Sequence, residues 1–345
     1  MRTARPILAA LAGCLVLVLL AVVLVSDLQA QSAPIPTLTI STENRPGHVQ
    51  TQVLMGFAER LNEKLGDRFQ FELRHSAELY RGRDVPDALA GGRIDFAAPG
   101  SWHLGRYVAD FNLFQLPMFY GRTIQINRDV SDGVIGTTLG NRLADRLDVV
   151  PLGRWLDLGH AHLFFTKDQA VSAPEDLNGK RMRVAGGKAN LVRLENLGAQ
   201  ALVVPWPDLP EALTSGRVDG TLTTPMTVVS GSLWQSGIAQ AYLDYQYFAQ
   251  YVPLVSNRTW FRLPEDVRQI ILETWEEGVD AGRQAMAVAQ RDALQTMMDN
   301  GVVVVRPEQT QLDQVRMGLM PMQKALVSEL GLDPKLVEAA SEALP

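Results

Sequence analysis

The chain has 345 residues, 46% of them hydrophobic and 20% charged, with a formal net charge of -6. That balance describes a globular chain long enough for two domains. The acidic balance argues against nucleic acid, and none is expected as a partner.

Residues 1–33 read as a secretory signal. Arg2 and Arg5 precede an apolar run from Ile7 to Val25, and Ser26-Asp27-Leu28-Gln29-Ala30 ends in a small residue suited to cleavage. The run is long enough that an uncleaved membrane anchor stands as the alternative. Leu11-Ala12-Gly13-Cys14 has the form of a lipoprotein processing site, but apolar residues continue from Leu15 to Val25, where such a site would meet polar ones. Cys14 is the one cysteine. Removal of the segment leaves no thiol for a disulfide, a nucleophile or a metal. No later stretch is apolar enough to span a membrane.

Pro36–Ser41 predicts a strand, and Thr42–Gly47 a loop. A helix follows with Val53, Phe57, Leu61 and Leu65 at four-residue spacing, closed by Gly66. Phe69–Leu73 alternates as a second strand. Next comes Asp84-Val85-Pro86-Asp87-Ala88-Leu89-Ala90-Gly91-Gly92-Arg93-Ile94-Asp95. It recurs as Asp208-Leu209-Pro210-Glu211-Ala212-Leu213-Thr214-Ser215-Gly216-Arg217-Val218-Asp219, with Asp, Pro, Ala, Leu, Gly, Arg and Asp in matching places. Each copy reads as an Asp-capped helix, a glycine stop and a strand start. Two α/β units of related plan are therefore expected.

The first copy runs into Phe96-Ala97-Ala98-Pro99-Gly100-Ser101-Trp102-His103, a strand end opening into an aromatic turn. Open α/β sheets bind ligands at the carboxyl ends of strands. Phe111–Tyr120 is aromatic-rich, Leu139–Leu147 is a short helix, and Val149–Leu152 is a strand. The second unit starts near Gly159, with Phe164-Phe165 as a strand edge. Arg181 and Arg183 then alternate with Met182 and Val184 on a strand that ends in Gly186-Gly187. Asn190–Leu197 predicts a helix and Leu202–Val204 a buried strand. Trp206 precedes the second copy, and Thr223 and Thr224 follow it. Tyr242–Leu254 is strand-like and carries the chain back. Leu263-Pro264-Glu265-Asp266 opens a long helix with an apolar stripe through Val267, Ile270, Ile271, Trp275, Val279 and Met286, ending near Met298. Val302–Val305 is a last strand, and two helices close the chain. The expected division is 34–158 with 250–288 returning to it, and 159–249 with 289–345 packed on it.

A guanidinium at the end of a strand can hold a carboxylate through two parallel charge-assisted hydrogen bonds. Arg183 is the candidate, against the alternative that both arginines are solvated edge charges. Trp102 and Trp206 lie at strand–loop–helix mouths, where a cleft and simple packing are equally open readings. His160 and His162 share one face of a strand, but no third ligand has recognisable spacing, so no metal is expected. No nucleophile elbow, zinc-protease motif, phosphate loop or carboxylate pair is present. The chain reads as a non-enzyme without a cofactor.

These segments resemble the DctP-type extracytoplasmic solute receptors of TRAP transporters. The resemblance rests on Pro46-Gly47-His48, on Gly92-Arg93-Ile94-Asp95, and on Leu116-Pro117. Its most specific segment is Pro174-Glu175-Asp176-Leu177-Asn178-Gly179-Lys180 running into Met182-Arg183-Val184. Gly216-Arg217-Val218-Asp219-Gly220 and Leu263-Pro264-Glu265-Asp266 complete it. The resemblance implies a two-domain α/β periplasmic binding protein fold with hinge strands and a long domain-crossing helix. It implies a periplasmic receptor that captures a small organic acid between its domains and presents it to TRAP membrane permease subunits. Its membrane contact would come only through the permease or an uncleaved N-terminal segment. The family's anchoring arginine falls on Arg183, its aromatic contact on Trp206, and its polar contact near Thr223 and Thr224. First-domain contacts fall near Glu43 and on Gly100, Ser101, Trp102 and His103. Many members carry a second arginine where this chain has Leu163, and His162 beside it is a candidate partial substitute. A monocarboxylate or oxo acid then fits as well as a dicarboxylate. Two other readings are open: the receptor of an ABC importer or an anchored sensor, and an enzyme on the same fold.

Overall fold

The computed structural model describes residues 34–169 and 171–344. The expected signal segment, Cys14 included, lies outside the described residues. The chain forms β1 (Thr37–Ser41), α1 (Val49–Leu65), β2 (Gln70–Arg74), α2 (Val85–Ala90) and β3 (Phe96–Ala97). Short 3-10 turns cover most of 101–119. Then come α3 (Ile124–Asp132), α4 (Val134–Leu147), β4 (Val149–Pro151) and β5 (Leu156–Thr166). β6 (Arg181–Val184), α5 (Lys188–Asn196), β7 (Gln200–Val203), α6 (Leu209–Thr214), β8 (Gly220–Thr223) and α7 (Pro225–Ser230) follow. The remainder is β9 (Ile238–Tyr251), β10 (Leu254–Ser256), α8 (Asn257–Arg262), α9 (Glu265–Asp299), β11 (Val303–Val305), α10 (Gln309–Leu319), α11 (Gln323–Leu330) and α12 (Pro334–Glu342).

The strands form two sheets of one plan. The first runs β2-β1-β3-β10-β4 and the second β7-β6-β8-β5-β9-β11. In each, the second strand lies parallel to its neighbours on both sides, and the next two strands are antiparallel. The repeated segment explains the match. Asp95 Oδ2 accepts the Thr39 N–H at 2.7 Å, and Asp219 Oδ2 accepts the Arg181 N–H at 2.8 Å. Each aspartate thereby ties the start of its own strand to the parallel strand beside it. Ile40 then pairs with Phe96, as Met182 pairs with Gly220. Ser41 and Arg183 are the equivalent next residues, each at a strand end.

Several expectations are corrected. Asp84 and Asp208 cap no helix with their side chains, because their own backbones are already helical. β7 is half-exposed rather than buried, because it forms the edge of its sheet. Phe164 and Phe165 are not at an edge but fully buried within β5, an interior strand. Three helices close the chain rather than two. Leu326, Leu330, Leu336, Val337 and Ala340 join Val85, Leu139 and Leu143 in a core beside the first sheet, while β11 pairs with β9 and Lys188 Nζ bonds the Glu329 carbonyl at 2.9 Å, so the last residues touch both units.

Two elements tie the sheets together. β5 and β9 form one long antiparallel ladder, from Thr166 opposite Ile238 to Leu156 opposite Tyr251. The ladder reaches the first sheet through a bridge between Gly100 and Tyr251 and through the Val252 N–H bonded to Pro99 O at 2.9 Å. Helix α9 runs alongside. Trp275 near its start packs edge-on to Phe57 of α1, with ring centroids 5.4 Å apart. Farther on, Gln290 bonds the Leu158 carbonyl at 2.6 Å and the Met226 N–H at 2.9 Å. Two adjacent strands and one long helix leave bending as the natural relative motion.

Candidate functional site

Arg183 stands at the carboxyl end of β6 and is only 2% exposed. Its Nε donates to the Val204 carbonyl at 2.8 Å. Its Nη2 is buried and has no hydrogen-bond partner among the described residues. No carboxylate lies at ion-pair distance from it among those residues. Burial pushes its pKa down to about 10, against the opposing fields of Glu43 and Tyr247. A guanidinium so held stays charged, with donor capacity unused. Arg181, two residues earlier, is spoken for: Nη2 reaches Asp219 Oδ1 at 2.5 Å and Nε reaches Oδ2 at 3.1 Å.

The facing wall comes from the first sheet. Glu43 follows β1, and its Oε2 accepts the Gly82 N–H at 2.8 Å. Burial raises its pKa, while that bond and the field of Arg183 lower it. Trp102 Nε1 donates to His103 Nε2 at 3.0 Å, so the His103 proton sits on Nδ1. Burial, Arg106 and Arg183 push the His103 pKa down to about 3, which keeps the ring neutral. The Trp102 ring also rests on Tyr251, 5.6 Å between centroids, and the Tyr251 hydroxyl accepts from Asn44 Nδ2 at 3.1 Å. Gly100 and Gly186 make this closeness possible. A Cβ on Gly100 would lie 2.3 Å from the Trp102 ring, and one on Gly186 3.1 Å from His103 Nδ1. Gly186 also has a φ of +154°, which side chains other than hydrogen rarely adopt.

The candidates thus divide. Arg183, Glu43, Gly100, Trp102 and His103 lie in one neighbourhood. Ser101 is buried in the turn beside them. Trp206 is half-buried and packs against Gly231, where an added Cβ would meet its ring at 2.8 Å. Thr223 is buried next to the ladder. Thr224 is engaged locally, because its Oγ1 accepts the Thr227 N–H at 3.3 Å and caps α7. His162 is also elsewhere. Its Nδ1 accepts the Tyr245 N–H at 3.0 Å, and its ring lines a separate cavity against α9, one that includes none of Arg183, Glu43 or Trp102. Alternation along β5 turns Leu163 the other way, where it is 1% exposed and wholly apolar. That position therefore carries no second arginine.

Tyr247, Tyr251 and Arg193 escaped the sequence reading. Arg193 is buried, with Nη1 3.0 Å from the carbonyls of Gln115 and Gln246, and it lies over the Tyr247 ring. The tyrosine-rich run pointed toward this region. However, a bulge sets Ala161 opposite Tyr247 but Leu163 opposite Tyr242, so simple alternation could not show which tyrosines face inward. Among the described residues no cluster of three His, Cys, Asp or Glu could hold a metal, and no helix is long and apolar enough to cross a membrane.

The family described as bacterial extracellular solute-binding protein, family 7 (DctP), matches residues 40–329. The chain belongs to this family. The C4-dicarboxylate-binding periplasmic protein DctP of Shewanella loihica is 26% identical over 301 residues, covering 84% of this chain and 85% of that one. A solute-binding protein of Chromohalobacter salexigens is 24% identical over 250 residues, covering 69% and 73%. Among solved structures, the sugar acid binding protein DctPAm of Advenella mimigardefordensis in complex with galactonate superposes with a TM-score of 0.83 at 19% identity, covering 90% and 98%. A TRAP periplasmic solute binding protein of Sulfurospirillum deleyianum with bound succinate gives 0.82 at 20% identity, covering 91% and 100%. The two-domain α/β fold of this family of binding proteins is thus the fold of this chain.

Proposed function

We propose that this protein is the periplasmic receptor of a TRAP transporter, closing on a small organic acid whose carboxylate is held by Arg183. The observation that carries this reading is the Arg183 guanidinium, 2% exposed with an unpaired, buried Nη2. An uncompensated buried cation is costly, and a ligand carboxylate would offset that cost through charge-assisted hydrogen bonds. Residues 34–158 and 159–249 supply the two walls, and β5, β9 and α9 act as the hinge. Contacts to both walls favour the closed state, and that differential affinity drives closure. The closed form is then what the membrane permease subunits receive. Binding, rather than turnover, is the function of this site.

Glu43 narrows the ligand. A carboxylate opposite Arg183 accepts hydrogen bonds from ligand hydroxyls and repels a second carboxylate. The galactonate and glucuronate of the structural relatives carry such hydroxyls, whereas succinate does not. We therefore read the ligand as a hydroxylated monocarboxylic acid. Trp206 and Thr223 would complete the pocket wall.

Calorimetry and thermal shift with a panel of sugar acids, hydroxy acids and dicarboxylates test this. A hydroxylated monocarboxylate should stabilise the wild type, and Arg183→Met should remove the shift while its far-UV spectrum stays native. Glu43→Gln should narrow the preference over succinate. Unchanged affinity in Arg183→Met would refute the proposed anchor.

A further inference from the structure

A second cavity, of about 180 Å³, lies where α9 crosses the β5–β9 ladder. Its volume compares with the ~150 Å³ that admits benzene in a dry protein cavity. Its wall is largely apolar and aromatic: Leu243, Tyr245 and Phe248 from β9, Met286 and Leu294 from α9, and Pro225 from α7. Ile124 of α3 also lines it, together with Arg128, Asp157, Arg283, Gln290 and Arg291.

Two imidazoles stand among its polar lining residues. His160 and His162 are alternate residues of β5, with ring centroids 6.3 Å apart. Each ring is fixed by a backbone group. His160 Nε2 bonds the Arg122 carbonyl at 2.8 Å, so that nitrogen carries the proton and Nδ1 is a bare acceptor. His162 Nδ1 accepts the Tyr245 N–H at 3.0 Å, so its proton sits on Nε2. Burial lowers both pKa values, that of His160 to about 4, so both rings are neutral and the two tautomers stand. His160 Nδ1 and His162 Nε2 have no hydrogen bond among the described residues, yet neither is sealed off as a buried orphan. The open space beside these rings is the cavity.

The two imidazoles thus offer one acceptor and one donor beside a ring-sized, largely apolar space. A hydroxyl does both: it donates to His160 Nδ1 and accepts from His162 Nε2–H. A bridging hydroxyl needs about 2.8 Å to each nitrogen. Tyr245 and Phe248 present edges and faces to an aromatic ring. We propose that this cavity is a second small-molecule site, for a monocyclic phenol-type aromatic, separate from the Arg183 cleft.

Phenol itself is the probe, with toluene as the shape control, titrated into the full mature protein by calorimetry and ligand-observed NMR. Saturable one-to-one binding of phenol is expected, stronger than that of toluene. Leu294→Trp should fill the space and abolish it. His160→Phe keeps a ring but removes the acceptor, and should weaken phenol by roughly two- to tenfold while leaving toluene unchanged. Arg183→Met should leave phenol binding intact, so the two sites succeed or fail independently. The proposal is overturned if phenol shows no saturation, or if Leu294→Trp, folded by near-UV spectrum, binds it as well as the wild type. It is also overturned if a crystal soaked in phenol shows only water between the two imidazoles.

Discussion

Arg81 Nη1 donates to Asp208 Oδ2 at 2.6 Å, joining the loop ahead of α2 to the N-terminus of α6. Asp208 opens the second copy of the repeated segment, and Arg81 lies just before the first. The contact therefore crosses between the two units at matching places in their plan. Both side chains are partly exposed, at 42% and 40%, so the pair adds little to global stability. Its effect falls on closure instead. Arg81→Ala should leave the apo melting temperature near the wild type. It should lower ligand affinity several-fold and raise the radius of gyration of the ligand-free protein in small-angle scattering. A double-mutant cycle with Asp208→Ala separates the coupling from the single losses. Equal affinities in all four proteins would show that the pair does not bias closure.

Asp244 lies in the bulge of β9, 1% exposed, and burial lifts its pKa to about 7. Gln246 donates to its Oδ2, while Oδ1 is buried without a partner among the described residues. The folded value stands above the unfolded one, so the protonated carboxyl favours the fold. That contribution is complete below the unfolded value near 3.8 and is lost as pH rises through about 7. A side-chain amide in its place would mimic the neutral form at every pH. Asp244→Asn should therefore gain stability relative to the wild type between pH 5 and 8, in the sense set by that shift. Urea unfolding at the two pH values measures it. A pH-independent difference would mean that Asp244 is already ionised in the fold.

Much of the frame was legible because its causes are local. The stripe of Phe57, Leu61 and Leu65, the long apolar stripe of α9 and the twin Asp-Pro-Ala-Leu-Gly-Arg-Asp segments all depend on near neighbours. Those segments pointed to two units of related plan, though the matched sheet order and the Asp ties behind it were seen only in the structure. Arg183 was legible as a strand-end guanidinium, though its burial was not. What escaped depends on remote contacts. Arg193 reads as an ordinary helix-surface arginine until Gln115 and Gln246 cover it. The side to which His162 turns was hidden by the bulged ladder and by α9, which closes the far face. Thr224 looked free until α7 claimed its hydroxyl as a cap.

Acid should weaken the fold through its histidines. His48, His103 and His160 have pKa values pushed to about 4, 3 and 4 by burial, and that of His162 is pushed well below the ordinary value. The unfolded chain binds these protons near pH 6.5 and the native state does not. Stability is thus lost as pH falls from 6.5 toward 4, with no contribution above that range. Asp244, Glu43 and Asp157 shift upward and act in the opposite sense, but four imidazoles outnumber three carboxyls. The melting temperature should fall from pH 7 to pH 5. His48→Asn keeps an acceptor for the Gln50 N–H, now 3.1 Å from Nδ1, and should make that fall shallower. A flat profile would count against neutral burial of these rings.

Gly100 separates a steric requirement from a backbone one. Its φ of -64° and ψ of 137° suit any residue, so alanine there carries no backbone strain. The obstacle is the Trp102 ring, with three atoms 2.3 to 2.5 Å from an added Cβ. Trp102 is 7% exposed and wedged between His103 and Tyr251, so it has little room to retreat. Gly100→Ala should cost roughly 1–3 kcal/mol, the usual range for overpacking, and should weaken acid binding by displacing His103. Trp102→Leu on its own opens space and loses the indole donor to His103 Nε2. If the collision is the whole cause, the double variant Gly100→Ala with Trp102→Leu should be no less stable than Trp102→Leu alone. A double variant that carries the full alanine penalty would trace the requirement to the Gly100–Tyr251 backbone bridge instead, and chemical denaturation of the four proteins decides between the two.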